Sequence, residues 1–326
     1  MPIAGAKASP TQIWNRSCLL GLGRLTPDEI RAVLRTAAAW DRGREDHPLA
    51  GQVICNLFAE DSTRTRTSFT IAARQLGADV VEGASQGSSL SKGESLVDTA
   101  RTIQAMGAGI FIVRSRQTGG AHAVARATGA AVINAGDGCH EHPTQGLLDC
   151  YSLCKALGAA HPRRFDEFDL AGVRIVIVGD VARSRVARSA TWGMQALGAR
   201  VTLCGPGSAA PPSLGRALGC DTTHDLDSAL GEADAVMALR IQKERGGMGA
   251  VGCLREYRAL YALTAERAAR MKPRAVIMHP GPTNRGVEID PEVADGPRSI
   301  ILDQVAAGVP VRMAVMELCV GASLAP

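Results

Sequence analysis

Short, continuous apolar runs constrain this chain more than any other feature. They lie at Val53–Phe58, Asp79–Val81, Gly109–Arg114, Ala131–Ala135, Val173–Val178, Val201–Cys204, Ala235–Leu239 and Ala275–Met278. Most are separated by stretches with helical spacing. Thr26-Pro27-Asp28-Glu29 opens one such stretch with a capping hydroxyl, a proline at the first helical position and acids in the first turn. Ile30, Val33, Leu34 and Ala37 then follow on one face. Further helices are expected from Ser68 to about Gly77, through Leu96 and Met106, over Ala121–Thr128, from Gly146, and from Val311 to Gly321. Strands that are apolar throughout, alternating with helices, predict parallel sheets covered on both faces. The alternation breaks at His161–Glu167 and restarts at Val173. A chain of 326 residues is long for one core, and two domains follow. The predicted fold is α/β, with two doubly wound parallel-sheet domains and a C-terminal helix crossing back to the first. The expected division is 1–160 and 161–304, with 305–326 packing on the first domain. Aromatic residues make up only 3% of the chain, which suits close helix–sheet packing better than base stacking.

In open α/β sheets ligands sit beyond the carboxyl ends of the strands. Most of the conspicuous polar residues of this chain fall at such ends, and one shared site between the domains is expected. Ser62-Thr63-Arg64-Thr65 lies where a strand hands over to a helix. The first N–H groups of a helix have no intrahelical partner, and the helix dipole favours negative charge there. Two hydroxyls and a guanidinium added to them make a phosphate cradle. The plainer alternative is that Ser62 or Thr63 merely caps the helix. Arg64, Arg66, Arg114, Arg185 and Arg240 each follow a strand or open a helix, Lys92 sits on a polar Gly/Ser loop, and His142 and Gln145 open a helix. One phosphate does not need so many cations, so more than one anionic group is expected.

Other chemistries find no support. There is no carboxylate pair of the glycosidase kind, no Gly-x-Ser-x-Gly elbow and no Walker loop. A net charge of +4, spread along the chain, marks no nucleic-acid tract. The nine cysteines include no CxxC pair, and Cys150 and Cys154 have no histidine cluster to complete a metal set. They are expected to be small buried thiols, with no metal bound. No signal-like segment is read in Met1–Arg16 and no apolar run of about 20 residues, so a cytoplasmic protein without a membrane span is expected. What remains is acyl or phosphoryl transfer driven by positioning and charge stabilisation.

Ser62-Thr63-Arg64-Thr65-Arg66 and His142-Pro143-Thr144-Gln145 stand in the order and at the spacing of the two motifs of the aspartate/ornithine carbamoyltransferase family. The chain resembles that family from about Gln52 to Glu317. Within it, the aspartate branch is the better match. His279-Pro280-Gly281-Pro282 stands where ornithine enzymes carry His-Cys-Leu-Pro, and Arg240-Ile241-Gln242-Lys243-Glu244-Arg245 resembles the aspartate branch's Arg-x-Gln-x-Glu-Arg. A dicarboxylate also wants guanidinium forks, which Arg185 and Arg240 supply.

The resemblance implies transfer of the carbamoyl group of carbamoyl phosphate to the α-amine of L-aspartate, the committed step of pyrimidine biosynthesis, without cofactor or metal. It implies a carbamoyl-phosphate domain at 1–160 and an aspartate domain at 161–304. By the same resemblance Ser62, Thr63, Arg64 and Thr65 hold the phosphate. Thr65, Arg114 and His142 polarise the carbamoyl oxygen, and Gln145 and the Pro280 carbonyl bind the carbamoyl NH2. Arg185, Arg240 and Gln242, with Lys92 and the turn Pro280, Gly281 and Pro282, take the aspartate carboxylates. Arg64, Thr65, Arg114 and His142 are the catalytic set. Ser89 and Lys92 match a loop that enters a neighbouring subunit's carbamoyl phosphate site, which implies a homotrimer with shared sites. A larger assembly with regulatory or dihydroorotase chains is open. Arg66 is implied to be structural, and Arg183, Arg188, Arg216 and Arg267 are taken as surface charges. Three alternatives stay open: a carbamoyltransferase for another amine such as ornithine, a dinucleotide-dependent oxidoreductase, and an inactive structural homologue. The second is weak because Val173–Asp180 lacks Gly-x-Gly-x-x-Gly.

Overall fold

The computed structural model describes residues 9–83, 94–241 and 253–323. The chain divides into two compact units, Met1–Gly138 with Gly308–Pro326, and Cys139–Ala307. The division therefore falls ahead of the His161–Glu167 break, and again inside the last helix.

The first unit is built on four strands, β1 (Val53–Phe58), β2 (Asp79–Glu82), β3 (Ile110–Ser115) and β4 (Ala131–Asp137). They pair in the order β2-β1-β3-β4, all parallel. Continuous apolar strands bury both faces: Cys55, Leu57, Phe111, Val113 and Val132 form one core layer with Ala100, Ala121 and Val124 of the covering helices. The helix Pro27–Asp41 starts as its sequence demands. Thr26 accepts from the Glu29 N–H, and the Glu29 carboxylate accepts from the Thr26 N–H at 2.7 Å.

The second unit repeats the plan with five strands, β5 (Arg174–Val178), β6 (Arg200–Cys204), β7 (Asp221–Thr223), β8 (Ala235–Ala238) and β9 (Val276–Met278). Their order is β7-β6-β5-β8-β9, again all parallel. Val176, Val178, Val236, Ile277, Tyr257 and Ile289 belong to one buried core cluster of this unit. The break at His161–Glu167 is itself structured. Arg163–Asp166 is a short helix whose Phe165 stacks edge-on against Tyr151 of the helix Pro143–Gly158, with ring centroids 5.5 Å apart. Gly158 permits this, since a Cβ there would meet the Phe165 Cβ at 2.7 Å.

Several expectations need correction. The helix after β1 runs over Thr63–Gln75 and so begins ahead of Ser68, with Ser62 as its N-cap and Thr63–Thr65 in its first turn. The later helix begins at Pro143, ahead of Gly146. β7, polar and three residues long, escapes any apolar-run criterion. The last helix spans Ile301–Ser323 and contains Pro310. A proline inside a helix lacks the N–H for the carbonyl four residues back. Here the helix continues through it, with Val311, Ala314, Val315 and Leu318 buried. Asp303, Arg312 and Glu317 interrupt this helix, so it holds no uninterrupted apolar run of about 20 residues. By length and mean composition alone it could cross a membrane, but most of it is buried inside the protein, as in a core helix.

Arg267 is no surface charge. It is buried and gives Nε to Asp227 at 2.9 Å, with further bonds to the carbonyls of Ala259 and Ala262 at 2.8 and 2.9 Å. It thereby caps the end of the helix Leu254–Tyr261. Arg188 likewise donates to the carbonyls of Cys139 and Ala182, and Arg183 pairs with Asp180 at 3.2 Å.

The thiols divide. Cys55, Cys150, Cys154, Cys204 and Cys319 are buried, and burial pushes Cys55 and Cys204 up to about 12. Such thiols stay protonated and inert. Cys139 and Cys253 depart from the expectation, being exposed.

Candidate active site

Each sheet has one switch point, where successive connections leave in opposite directions and open a crevice beyond the strand ends. In the first unit it lies between β1 and β3, because β2 flanks β1 on one side and β3 on the other. The helix Thr63–Gln75 starts directly beyond β1. Its first intrahelical bond from this end is Arg66 N–H to the Ser62 carbonyl at 3.1 Å, so the N–H groups of Thr63, Arg64 and Thr65 lie ahead of the intrahelical ladder. Ser62 occupies the N-cap position, yet its hydroxyl makes no capping bond. The plainer reading of a mere cap thus loses its hydrogen bond. Thr63 and Arg64 are exposed, and Thr65 is buried.

Arg114 stands at the end of β3, where its backbone pairs in register with Phe58 of β1. Its guanidinium is held on two sides. Nη1 donates to the Ala135 carbonyl at 3.2 Å, and Nε lies 3.7 Å from the Glu60 carboxylate. The side chain is only 11% exposed, so this cation is fixed in direction before any ligand arrives. Asp137, at the end of β4, is engaged by the Asn134 side chain at 2.9 Å and by the Gly119 N–H at 2.7 Å. It braces the loop there. Arg66 is exposed.

In the second unit the switch point lies between β5 and β8. Arg185 is the first residue of the helix Arg185–Ala196 that follows β5, and it is buried, at 6% exposure. Arg240 follows β8 and is half-buried. Both basic residues singled out for carboxylates therefore flank one crevice of one sheet. Asp180, between β5 and Arg185, is pushed above the ordinary carboxylate range by burial, with Arg183 pulling it back.

His142 and Gln145 lie in this second unit as well. His142 is buried at the N-cap of the helix Pro143–Gly158, and its side chain makes no capping bond. Its backbone N–H donates to the Ser189 hydroxyl at 3.0 Å, and that hydroxyl donates to Glu141 at 2.8 Å. The start of the helix is thereby fixed to the helix that carries Arg185. Gln145 donates Nε2 to Asp149 at 2.9 Å.

The turn after β9 is fixed from within. Buried His279 accepts the Gly281 N–H on Nδ1 at 2.7 Å, so its proton sits on Nε2, 3.3 Å from Glu288. Glu288 is fully buried and also accepts from the Asn284 side chain, whose Nδ2 reaches the Ile241 carbonyl at 3.0 Å. The turn is thereby tied to the residue after Arg240. Gly281 has φ +62°, a conformation that strains any side chain, which accounts for glycine at this place. Ser89, Lys92 and Gln242, together with Gly246–Gly249, lie outside the described residues. Among the described residues no group of three or more His, Cys, Asp or Glu is arranged to hold a metal ion.

The supporting residues Glu60, Glu141, Asp149, Ser189, Glu288 and Gln304 were not singled out from the sequence. Asp149 alone carried a local signal, since it lies four residues after Gln145 on the same helix face.

Two family descriptions cover the chain. "Aspartate/ornithine carbamoyltransferase, carbamoyl-P binding domain" matches residues 18–155, and "Aspartate/ornithine carbamoyltransferase, Asp/Orn binding domain" matches residues 171–319. The aspartate carbamoyltransferase catalytic subunit of Myxococcus xanthus (strain DK1622) is 51% identical over 303 residues, covering 92% of this chain and 98% of its own. That of Syntrophobacter fumaroxidans (strain DSM 10017 / MPOB) is 46% identical over 310 residues, covering 94% and 98%. Among solved structures, aspartate transcarbamoylase from Trypanosoma cruzi in complex with carbamoyl phosphate and aspartate superposes with a TM-score of 0.82 at 27% identity, covering 95% of this chain and 98% of that one. With two family domains matched in order and a relative 51% identical over 92% of its length, the chain belongs to the aspartate/ornithine carbamoyltransferase family.

Proposed function

We propose that this chain is an aspartate carbamoyltransferase, transferring the carbamoyl group of carbamoyl phosphate to the α-amine of L-aspartate and releasing phosphate. The observation that carries it is the pair of switch points. One offers helix N–H groups, hydroxyls and a braced arginine, which suit a phosphate. The other offers Arg185 and Arg240, which suit two carboxylates. The activity is that for which the relatives are named, and it serves pyrimidine synthesis in the cytoplasm.

Ser62, Thr63, Arg64 and Thr65 hold the phosphate through hydroxyls, backbone N–H groups and guanidinium. Thr65, Arg114 and His142 donate to the carbamoyl oxygen, and Gln145 and the Pro280 carbonyl accept from the carbamoyl NH2. Arg185, Arg240 and Gln242, with Lys92 and the turn Pro280–Pro282, bind aspartate. The deprotonated amine attacks the carbamoyl carbon. Negative charge gathers on the carbamoyl oxygen, where fixed donors stabilise it. The C–O bond to phosphate breaks, and a phosphate oxygen takes the amine proton. Ser89 and Lys92 serve the site of a neighbouring copy, so the active unit is a homotrimer.

The test supplies carbamoyl phosphate with aspartate or with ornithine and measures carbamoylated product, with the mass in solution determined alongside. Carbamoyl aspartate from a trimer is expected. Carbamoyl transfer to ornithine alone, or no transfer to either, would overturn the assignment.

A further inference from the structure

A buried carboxylate fixes which end of the Gln145 amide is available to a ligand. Asp149 is fully buried in the helix Pro143–Gly158. Its Oδ1 accepts from Gln145 Nε2 at 2.9 Å and from Gln304 Nε2 at 2.7 Å. A carboxylate only accepts, so both amides must turn their nitrogens to it. Gln304 is held to that orientation twice, because its Oε1 accepts the His279 backbone N–H at 3.0 Å and a backbone N–H can only donate. His279 in turn opens the turn that carries Pro280. The Gln145 amide therefore has its nitrogen committed inward, which leaves its oxygen as the end it can offer.

We propose that Asp149 is a positioning residue that makes the site selective for a carbamoyl NH2. Through Gln145 it presents one carbonyl oxygen, and through Gln304 and the His279 N–H it sets the place of a second, the Pro280 carbonyl. This rests on the assignment of those two acceptors to the carbamoyl group. Two oriented acceptors match the two hydrogens of an NH2 and offer nothing to a methyl. Acetyl phosphate, the same size with a methyl in that place, is the discriminating probe. A site built to bond an N–H strands its own polar groups when the analogue lacks it.

Binding of carbamoyl phosphate and of acetyl phosphate is measured calorimetrically for the full chain and for Asp149→Leu, Asp149→Ala and Gln145→Ala, with melting temperatures recorded. Asp149→Leu keeps the branch at Cγ and removes both acceptors, so it carries the test if the alanine variant does not fold. Either Asp149 variant is expected to lose about tenfold in affinity for carbamoyl phosphate and to bind acetyl phosphate as before, so that the preference collapses. Equal weakening of both ligands, or a preference unchanged while Gln145→Ala abolishes it, would reduce Asp149 to a fold-supporting group and overturn the proposal. A preference unchanged in Gln145→Ala as well would show that Gln145 does not meet the NH2, and the assignment beneath the proposal would fall with it.

Discussion

The two switch points use the same topology and different materials. Beyond β1 the donors are mostly local: consecutive N–H groups and hydroxyls at the start of one helix, with Arg114 brought from the next strand. Beyond β5 and β8 they are single side chains from separate segments, Arg185 and Arg240, and the nearby turn after β9 is held by Glu288 and Asn284. A phosphate is a compact ball of acceptors that one helix start can surround. An amino acid with two carboxylates is longer and needs forks set well apart. The first crevice should therefore fail through lost charge stabilisation, and the second through lost substrate affinity.

The largest expected effect follows for Arg114. Arg114→Ala should lower turnover by about 100- to 1000-fold, as for loss of one fixed oxyanion donor, with the melting temperature little changed. Arg64→Ala should behave alike. Steady-state kinetics at saturating substrates, with thermal melts, check this, and near-normal turnover would break the contrast. Arg240→Ala should act on the other side. The KM for aspartate should rise about tenfold or more, as for loss of a charge-assisted pair, while carbamoyl phosphate binds as before. If both substrates weaken together, the division of labour does not hold.

The smallest effect separates site charges from structural ones. Burial opposes ionisation of Glu29, but the Arg16 guanidinium and the Thr26 N–H win and hold its carboxyl below its ordinary value of 4.5. A carboxyl depressed in the folded state contributes stability that is complete above the unfolded value and lost as pH falls through the folded one. Glu29→Gln should thus flatten the loss of stability below about pH 4.5 and leave both KM values unchanged. Denaturant melts between neutral pH and about pH 3 measure it.

How far all this could be read beforehand follows the same contrast. Strands β1, β3 and β5 are continuous apolar runs, and the cradle after β1 is a run of donors, so local patterns reveal them. Asp149 with Gln304, or Glu288 with Asn284 and Ile241, are joined only by folding, across up to 155 residues. Arg267 shows the converse, since a lone arginine at a polar stretch reads as solvated until its carbonyl partners are in place. Pro310 disguised the length of the last helix, because burial outweighed the proline's local cost.

The account is tested most directly by a crystal structure with a bisubstrate mimic that joins a phosphonate to aspartate. The phosphonate should sit on the N–H groups of Thr63, Arg64 and Thr65 beside Arg114, with the two carboxylates on Arg185 and Arg240. A phosphonate bound away from the start of the helix Thr63–Gln75, or carboxylates that touch neither arginine, would contradict it.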